Sequence, residues 1–125
     1  MRINIKATGI ELTPAISGYV EKRISSIEKY FQASQDAVVQ VEVGKSTQHH
    51  KHGNVFRAEV RVIGGGLDLY TFADSLDLYA AIDVVRDEIV HKLTQEKGRR
   101  FALARRGGRA VKNMLKGLNF FKNRP

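Results

Sequence analysis

Cysteine is absent from the chain, which excludes a disulfide framework and any zinc site built on thiolates. Also missing is any apolar run approaching the roughly 20 residues that cross a membrane. Met1-Arg2 leads straight into a strand-like segment, with no apolar leader core. These absences point to a soluble, cytoplasmic protein. At 125 residues, one compact domain is the default. Acidic residues are missing from the C-terminal end. Residues 1–98 hold 12 of the 21 Lys and Arg and all 13 Asp and Glu, a net of −1. Residues 99–125 hold the other nine basic residues and no acid, a net of +9. The basic excess therefore belongs to the tail, and charge blocks of that kind commonly meet polyanions.

What is present is organised around residues 67–97. Leu67, Leu69, Thr71 and Ala73 alternate with Asp68, Tyr70, Phe72 and Asp74, the period of a strand. The period then changes: Leu78, Ile82, Val85, Ile89 and Leu93 recur at steps of three and four, forming one stripe of a helix. Asp74 is expected as its N-cap, with Asp77 adding a carboxylate to the positive first turn.

Upstream, residues 2–7 alternate as a half-buried strand. Thr13 suits an N-cap and Pro14 the first helical position, where a missing N–H costs nothing. Ile16, Val20, Ile24, Ile27 and Phe31 then form an apolar stripe, predicting a helix over 14–31. Residues 37–43 read as a strand with Val39, Val41 and Val43 on one face, followed by a polar loop from Gly44 to Asn54. In the next strand Phe56, Ala58, Val60 and Val62 oppose Arg57, Glu59 and Arg61, and Gly64-Gly65-Gly66 turns the chain into an antiparallel hairpin. The order is β-α-β-β-β-α. It predicts an α+β two-layer sandwich, a four-stranded sheet with two helices on one face. The other face carries Gln40, Glu42, Arg57, Glu59, Arg61, Tyr70 and Phe72 and is expected to be open to water.

Catalytic and metal chemistry find little support. His49, His50 and His52 lie beside Lys51 with no acidic residue near, which favours a solvated loop over a metal site. Asp87 and His91 have the spacing of a local helical pair, and no nucleophile accompanies them. The glycine triplet leads into a strand and lacks the Lys-Ser/Thr ending of a phosphate loop. No acid, base and nucleophile combine anywhere, so neither enzyme activity nor a cofactor is expected.

The basic residues are the stronger signal. Lys22, Arg23 and Lys29 on the first helix, with Arg86, Lys92, Lys97, Arg99 and Arg100 on and beyond the second, are expected to flank one groove facing phosphates. The alternative is ordinary solubilising charge, since Glu21, Glu28, Asp83, Asp87 and Glu88 are interspersed. Past Gly98, Arg105, Arg106 and Arg109 form a basic segment around Gly107-Gly108. Val111, Met114, Leu115, Leu118 and Phe121 then recur at helical spacing, as in a cationic amphipathic helix that forms on a partner. RNA, an acidic membrane surface and self-association are all open partners for it.

The element order, the helix opening Ile10-Glu11-Leu12-Thr13-Pro14-Ala15-Ile16 and the run Asp77-Leu78-Tyr79-Ala80-Ala81-Ile82-Asp83 resemble the ribosome hibernation promoting factor / ribosome-associated inhibitor family over residues 1–98. The fold is also similar to the double-stranded-RNA-binding domain. The family resemblance implies a non-catalytic protein that binds the small ribosomal subunit between head and body, where messenger and transfer RNA lie. It implies inhibition of translation by occupancy and preservation of idle ribosomes under stress. The implied partners are the small subunit and its rRNA, with ribosome pairing left open. Arg23 and Lys29 fall at basic positions of the family, whereas Ser26, Glu88, His91 and Gln95 stand where basic residues are common. The 27 residues after position 98 are too few for the dimerisation domain of long members, so a short or atypical form is expected. Two other readings stand beside it: a general RNA-binding or RNA-chaperone module without a dedicated ribosomal site, and a membrane-surface or self-assembling protein driven by the tail.

Overall fold

A computed structural model describes residues 1–31, 36–46 and 55–97. Met1–Leu93 form one compact unit, and Thr94–Pro125 a second, of which only 94–97 are described. In chain order the elements are β1 (Arg2–Thr8), α1 (Pro14–Ser25), a 3-10 segment (Ser26–Tyr30), β2 (Ala37–Lys45), β3 (Phe56–Gly64) and β4 (Leu67–Ser75). Helix α2 covers residues 78–97.

The sheet runs β1-β2-β3-β4. β1 and β2 are parallel, so the chain must cross over between them, and α1 makes that crossing. β2, β3 and β4 follow as antiparallel neighbours. Gly65 and Gly66 form the two-residue turn between β3 and β4 with φ of 59° and 81°. Positive φ at both central positions is the type I′ geometry whose twist matches a hairpin, and glycine adopts it without a Cβ clash.

The expected alternation holds. Val39, Val41, Val43, Ala58, Val60, Val62 and Ala73 are buried on the helical side, packed against Val20, Ile24 and Ile27. From α2 come Leu78, Ile82, Val85, Ile89 and Leu93, the whole predicted stripe, together with Ala81. Thr71 is buried in the same layer. Its hydroxyl donates to Glu88 Oε2 at 2.7 Å, which satisfies the polar group and ties α2 to β4.

Two local expectations are corrected. The first helix does not stay α-helical to residue 31, because its last turn tightens to 3-10 at Ser26. Ser25 Oγ donates to the Lys22 carbonyl and Ser26 Oγ to the Arg23 carbonyl, so hydroxyls compete for acceptors at the point where the α pattern ends. Ile27 nevertheless stays buried. Asp74 is not the cap of α2. The β3–β4 ladder continues to Ser75, which holds Asp74 in the strand opposite Arg57. The cap is Asp77, whose Oδ1 accepts from the Tyr79 amide at 3.0 Å, while Ser75 Oγ accepts from the Asp77 amide. Asp77→Ala should therefore cost about 1 kcal/mol, read as a fall of roughly 4–8 °C in Tm. Asp77→Asn should restore most of it, and an unchanged Tm in the alanine variant would remove Asp77 from the capping role.

Candidate nucleic-acid interface

Lys22 and Arg23 lie in the last turn of α1 and Lys29 in the 3-10 segment, while Arg86 and Lys92 lie on α2. Packing on one sheet face makes α1 and α2 neighbours, and Arg23 and Arg86 meet between them. Arg23 Nε is 2.9 Å from Asp83 Oδ1 and Nη2 is 3.9 Å from Asp87 Oδ1. The Arg23 Nε–H makes no aligned hydrogen bond, so this contact is an ion pair rather than a directed bond. Arg86 Nη1 donates to Asp87 Oδ1 at 3.1 Å and its Nε donates to Ser26 Oγ at 3.0 Å. Tyr19 completes the group: its hydroxyl donates to Asp83 Oδ1 at 2.6 Å and its ring meets Tyr79 edge to face at 5.0 Å. The hydrogen bond to Asp83, and secondarily desolvation, push the Tyr19 phenol above its ordinary range.

The predicted basic groove is thus two kinds of site. Arg23 and Arg86 are half-buried and matched to Asp83 and Asp87, so they hold α1 to α2. Lys22, Lys29 and Lys92 are exposed, and Lys29 Nζ stands 5.4 Å from the Tyr30 ring centre. Glu21, Glu28 and Glu88 are exposed on the same elements, so residues 14–30 and 78–92 together carry five Lys and Arg and five Asp and Glu. A face so balanced in charge exerts little long-range attraction on a polyanion. Asp87 pairs with Arg86 and Arg23, and among the described residues it makes no hydrogen bond or ion pair with His91. Lys97 ends α2 within the second unit. Arg99, Arg100, Arg105, Arg106 and Arg109 lie outside the described residues, as do His49, His50 and His52.

The opposite sheet face is open, as expected. Register places Asn4, Gln40, Arg61 and Tyr70 on one rung across all four strands, and Lys6, Glu42, Glu59 and Phe72 on the next. Tyr70 and Phe72 are each 45% exposed. Arg57 makes a two-point pair with Asp74, at 2.7 and 2.9 Å, and lies 4.2 Å over the Phe72 ring. Arg61 makes a second two-point pair with Asp68, which holds the Asp68 carboxyl below the usual range. The Tyr70 hydroxyl donates to Glu59, and that bond pushes the phenol upward. Tyr19 was not among the candidates that the sequence suggests, and the carboxylates at 83 and 87, one helical turn apart on α2, were the available signal for it.

Among the described residues no helix is long and apolar enough to cross a membrane. Among them, too, no cluster of three potential metal ligands occurs. Residues 3–100 match the profile of a family described as sigma 54 modulation protein / S30EA ribosomal protein. A ribosome hibernation promoting factor of Klebsiella oxytoca is 31% identical over 97 residues, covering 78% of this chain and 94% of that protein. A ribosome hibernation promotion factor of Bacillus subtilis is 32% identical over 97 residues, but the match covers 49% of its length. Among solved structures, the N-terminal domain of Thermus thermophilus Protein Y matches with a TM-score of 0.64 at 26% identity, covering 76% of this chain and 98% of that one.

Proposed function

The chain belongs to the family described as sigma 54 modulation protein / S30EA ribosomal protein, and from that premise we propose that it is a ribosome-associated hibernation factor. The observation that carries this is the family match over residues 3–100, which takes in all but the first two residues of the first compact unit, with relatives named for ribosome hibernation. The protein acts by binding rather than by bond-making chemistry. It binds the small subunit in the channel of messenger and transfer RNA, in the cytoplasm, and blocks translation by occupying that channel.

In this reading the residues divide the work. Arg23 and Arg86, matched by Asp83 and Asp87, set the spacing of the two helices. Exposed Lys22, Lys29 and Lys92 contact rRNA phosphates. The nine basic residues of 99–125 supply the long-range attraction that the neutral helical face lacks.

Added protein should inhibit cell-free translation and co-sediment with small subunits in a gradient. Prebound messenger with initiator transfer RNA should displace it. Replacing Lys22, Lys29 and Lys92 together by Gln should weaken binding and reduce the salt slope by about three, one for each lost phosphate contact. Equal binding to vacant and initiated subunits would sink the occupancy mechanism. Binding of any RNA with the same affinity as the small subunit would favour the general RNA-binding module instead.

A further inference from the structure

The open face of the sheet takes no part in the reading above. A depression of about 460 Å³ occupies its middle, lined from the two rungs that carry Asn4, Gln40 and Tyr70 and Lys6, Glu42 and Glu59. Glu42 and Glu59 stand directly opposite each other across β2 and β3. One oxygen of each is engaged: Glu42 Oε2 accepts from the Thr8 hydroxyl at 2.7 Å, and Glu59 Oε1 accepts from Tyr70. Among the described residues, the second oxygen of each carboxylate takes no hydrogen bond.

Adjacent carboxylates repel phosphate and attract N–H donors. Beside them the Tyr70 ring is oriented by its bond to Glu59, yet 45% exposed, and so offers a stacking surface. A ligand suited to both features is planar and presents two neighbouring N–H donors on one edge. Guanine does so with N1–H and the N2 amino group. Adenine, cytosine and uracil each place an acceptor next to the donor on that edge. Lys6 on the second rung is an exposed cation lining the depression, Arg61 on the first rung lines it while paired with Asp68, and exposed Arg2 lies farther along β1 on the same face. Lys6 and Arg2 suit phosphates spread along a strand better than the concentrated charge of a free nucleotide.

We infer that this depression is a subsite for one unpaired guanine of single-stranded RNA, stacked on Tyr70 and read by Glu42 and Glu59, with Lys6 and Arg2 following the backbone. It uses a different surface from the helix cations and does not depend on ribosome binding.

The test uses the full chain, isotopically labelled, titrated with RNA pentamers that differ only in a central guanine, inosine or adenine within uridines. The basic tail meets the phosphates of all three alike, so the ratio of affinities reports on the base. The guanine pentamer should bind about tenfold tighter than the inosine one, which lacks the N2 amino group. Amide shifts should centre on residues 4–6, 40–42, 59–61 and 70. In the Glu42→Gln, Glu59→Gln double variant the preference should vanish while the sheet spectrum is kept. Tyr70→Leu should weaken all three pentamers without changing their order. Equal affinities for the three, or shifts confined to the helices, would overturn the subsite. Guanosine 5′-monophosphate binding as tightly at the same amides would replace RNA by a free nucleotide as the ligand. Sheet shifts that grow with protein concentration alone would show a second copy on this face. If co-sedimentation with ribosomes persists while the base preference is absent, the subsite fails and the hibernation reading stands.

Discussion

A chain ending at Gly98 is expected to stay folded and to lose most of its affinity for ribosomes at low salt. Folding should survive because, among the described residues, the buried core lies between Val20 and Leu93. Affinity should not, because residues 1–98 carry a net charge of −1 and residues 99–125 carry +9. If about six of the tail cations meet phosphates, counterion release makes the affinity of the full chain fall roughly 10³-fold between 50 and 200 mM salt. The shortened chain would keep only the contacts proposed for Lys22, Lys29 and Lys92 on the helical face, so its dependence on salt should be much shallower. Burial of Val111, Leu115 and Leu118 on a partner would leave a different signature, since apolar contacts are nearly insensitive to salt in this range. Measuring the slope before and after truncation separates the two. An unchanged affinity and slope would make the tail dispensable and leave the helix cations to carry the binding.

A large effect on stability is expected at Gly44. It is buried where β1 and β2 run in parallel, on the rung that pairs it with Thr8. A Cβ at this position would stand 2.1 Å from the Thr8 carbonyl oxygen, and the obstacle is backbone, which has no rotamer to yield. Gly44→Ala therefore forces the two strands apart. Overpacking of this kind costs about 1–3 kcal/mol, and here the upper end is expected. Among the described residues β1 is an edge strand paired only with β2, so the strain is relieved most readily by releasing its end, and Ala7 beside it then loses its place against the core. In a thermal melt the variant should fall by roughly 10 °C or more. Gly18→Ala is the control. Gly18 lies within α1 with nothing near the new methyl, so that change should stabilise by about 0.5–1 kcal/mol. Equal melting of Gly44→Ala and the parent would mean that β1 and β2 are not paired at that rung.

Much of the fold was legible because it depends on local periodicity. The stripe Leu78, Ile82, Val85, Ile89 and Leu93 is buried in full, since a 3.6-residue repeat leaves one face to cover the sheet. The strand faces follow from a repeat of two, and Tyr70 and Phe72 are exposed as that repeat requires. The errors arose at ends, where neighbouring elements compete. Asp74 is a reasonable cap by position, but the ladder to β3 kept it in the strand and left Asp77 to cap. Ile27 kept its stripe position while the backbone around it tightened, because burial constrains the side chain more than the hydrogen-bond pattern.

By itself the sequence determined which residues face the core, that the basic excess lies beyond residue 98, and which family motif opens α2. These properties are written in neighbouring residues or in simple charge. Only the tertiary structure decided which of the described cations pair with carboxylates. Tyr19 and Asp83 are 64 positions apart and Arg86 and Ser26 are 60, and nothing local pairs them. Their meeting is set by how α1 and α2 lie on the sheet. That placement pairs Arg23 and Arg86 with Asp83 and Asp87 between the helices and leaves Lys22, Lys29 and Lys92 exposed.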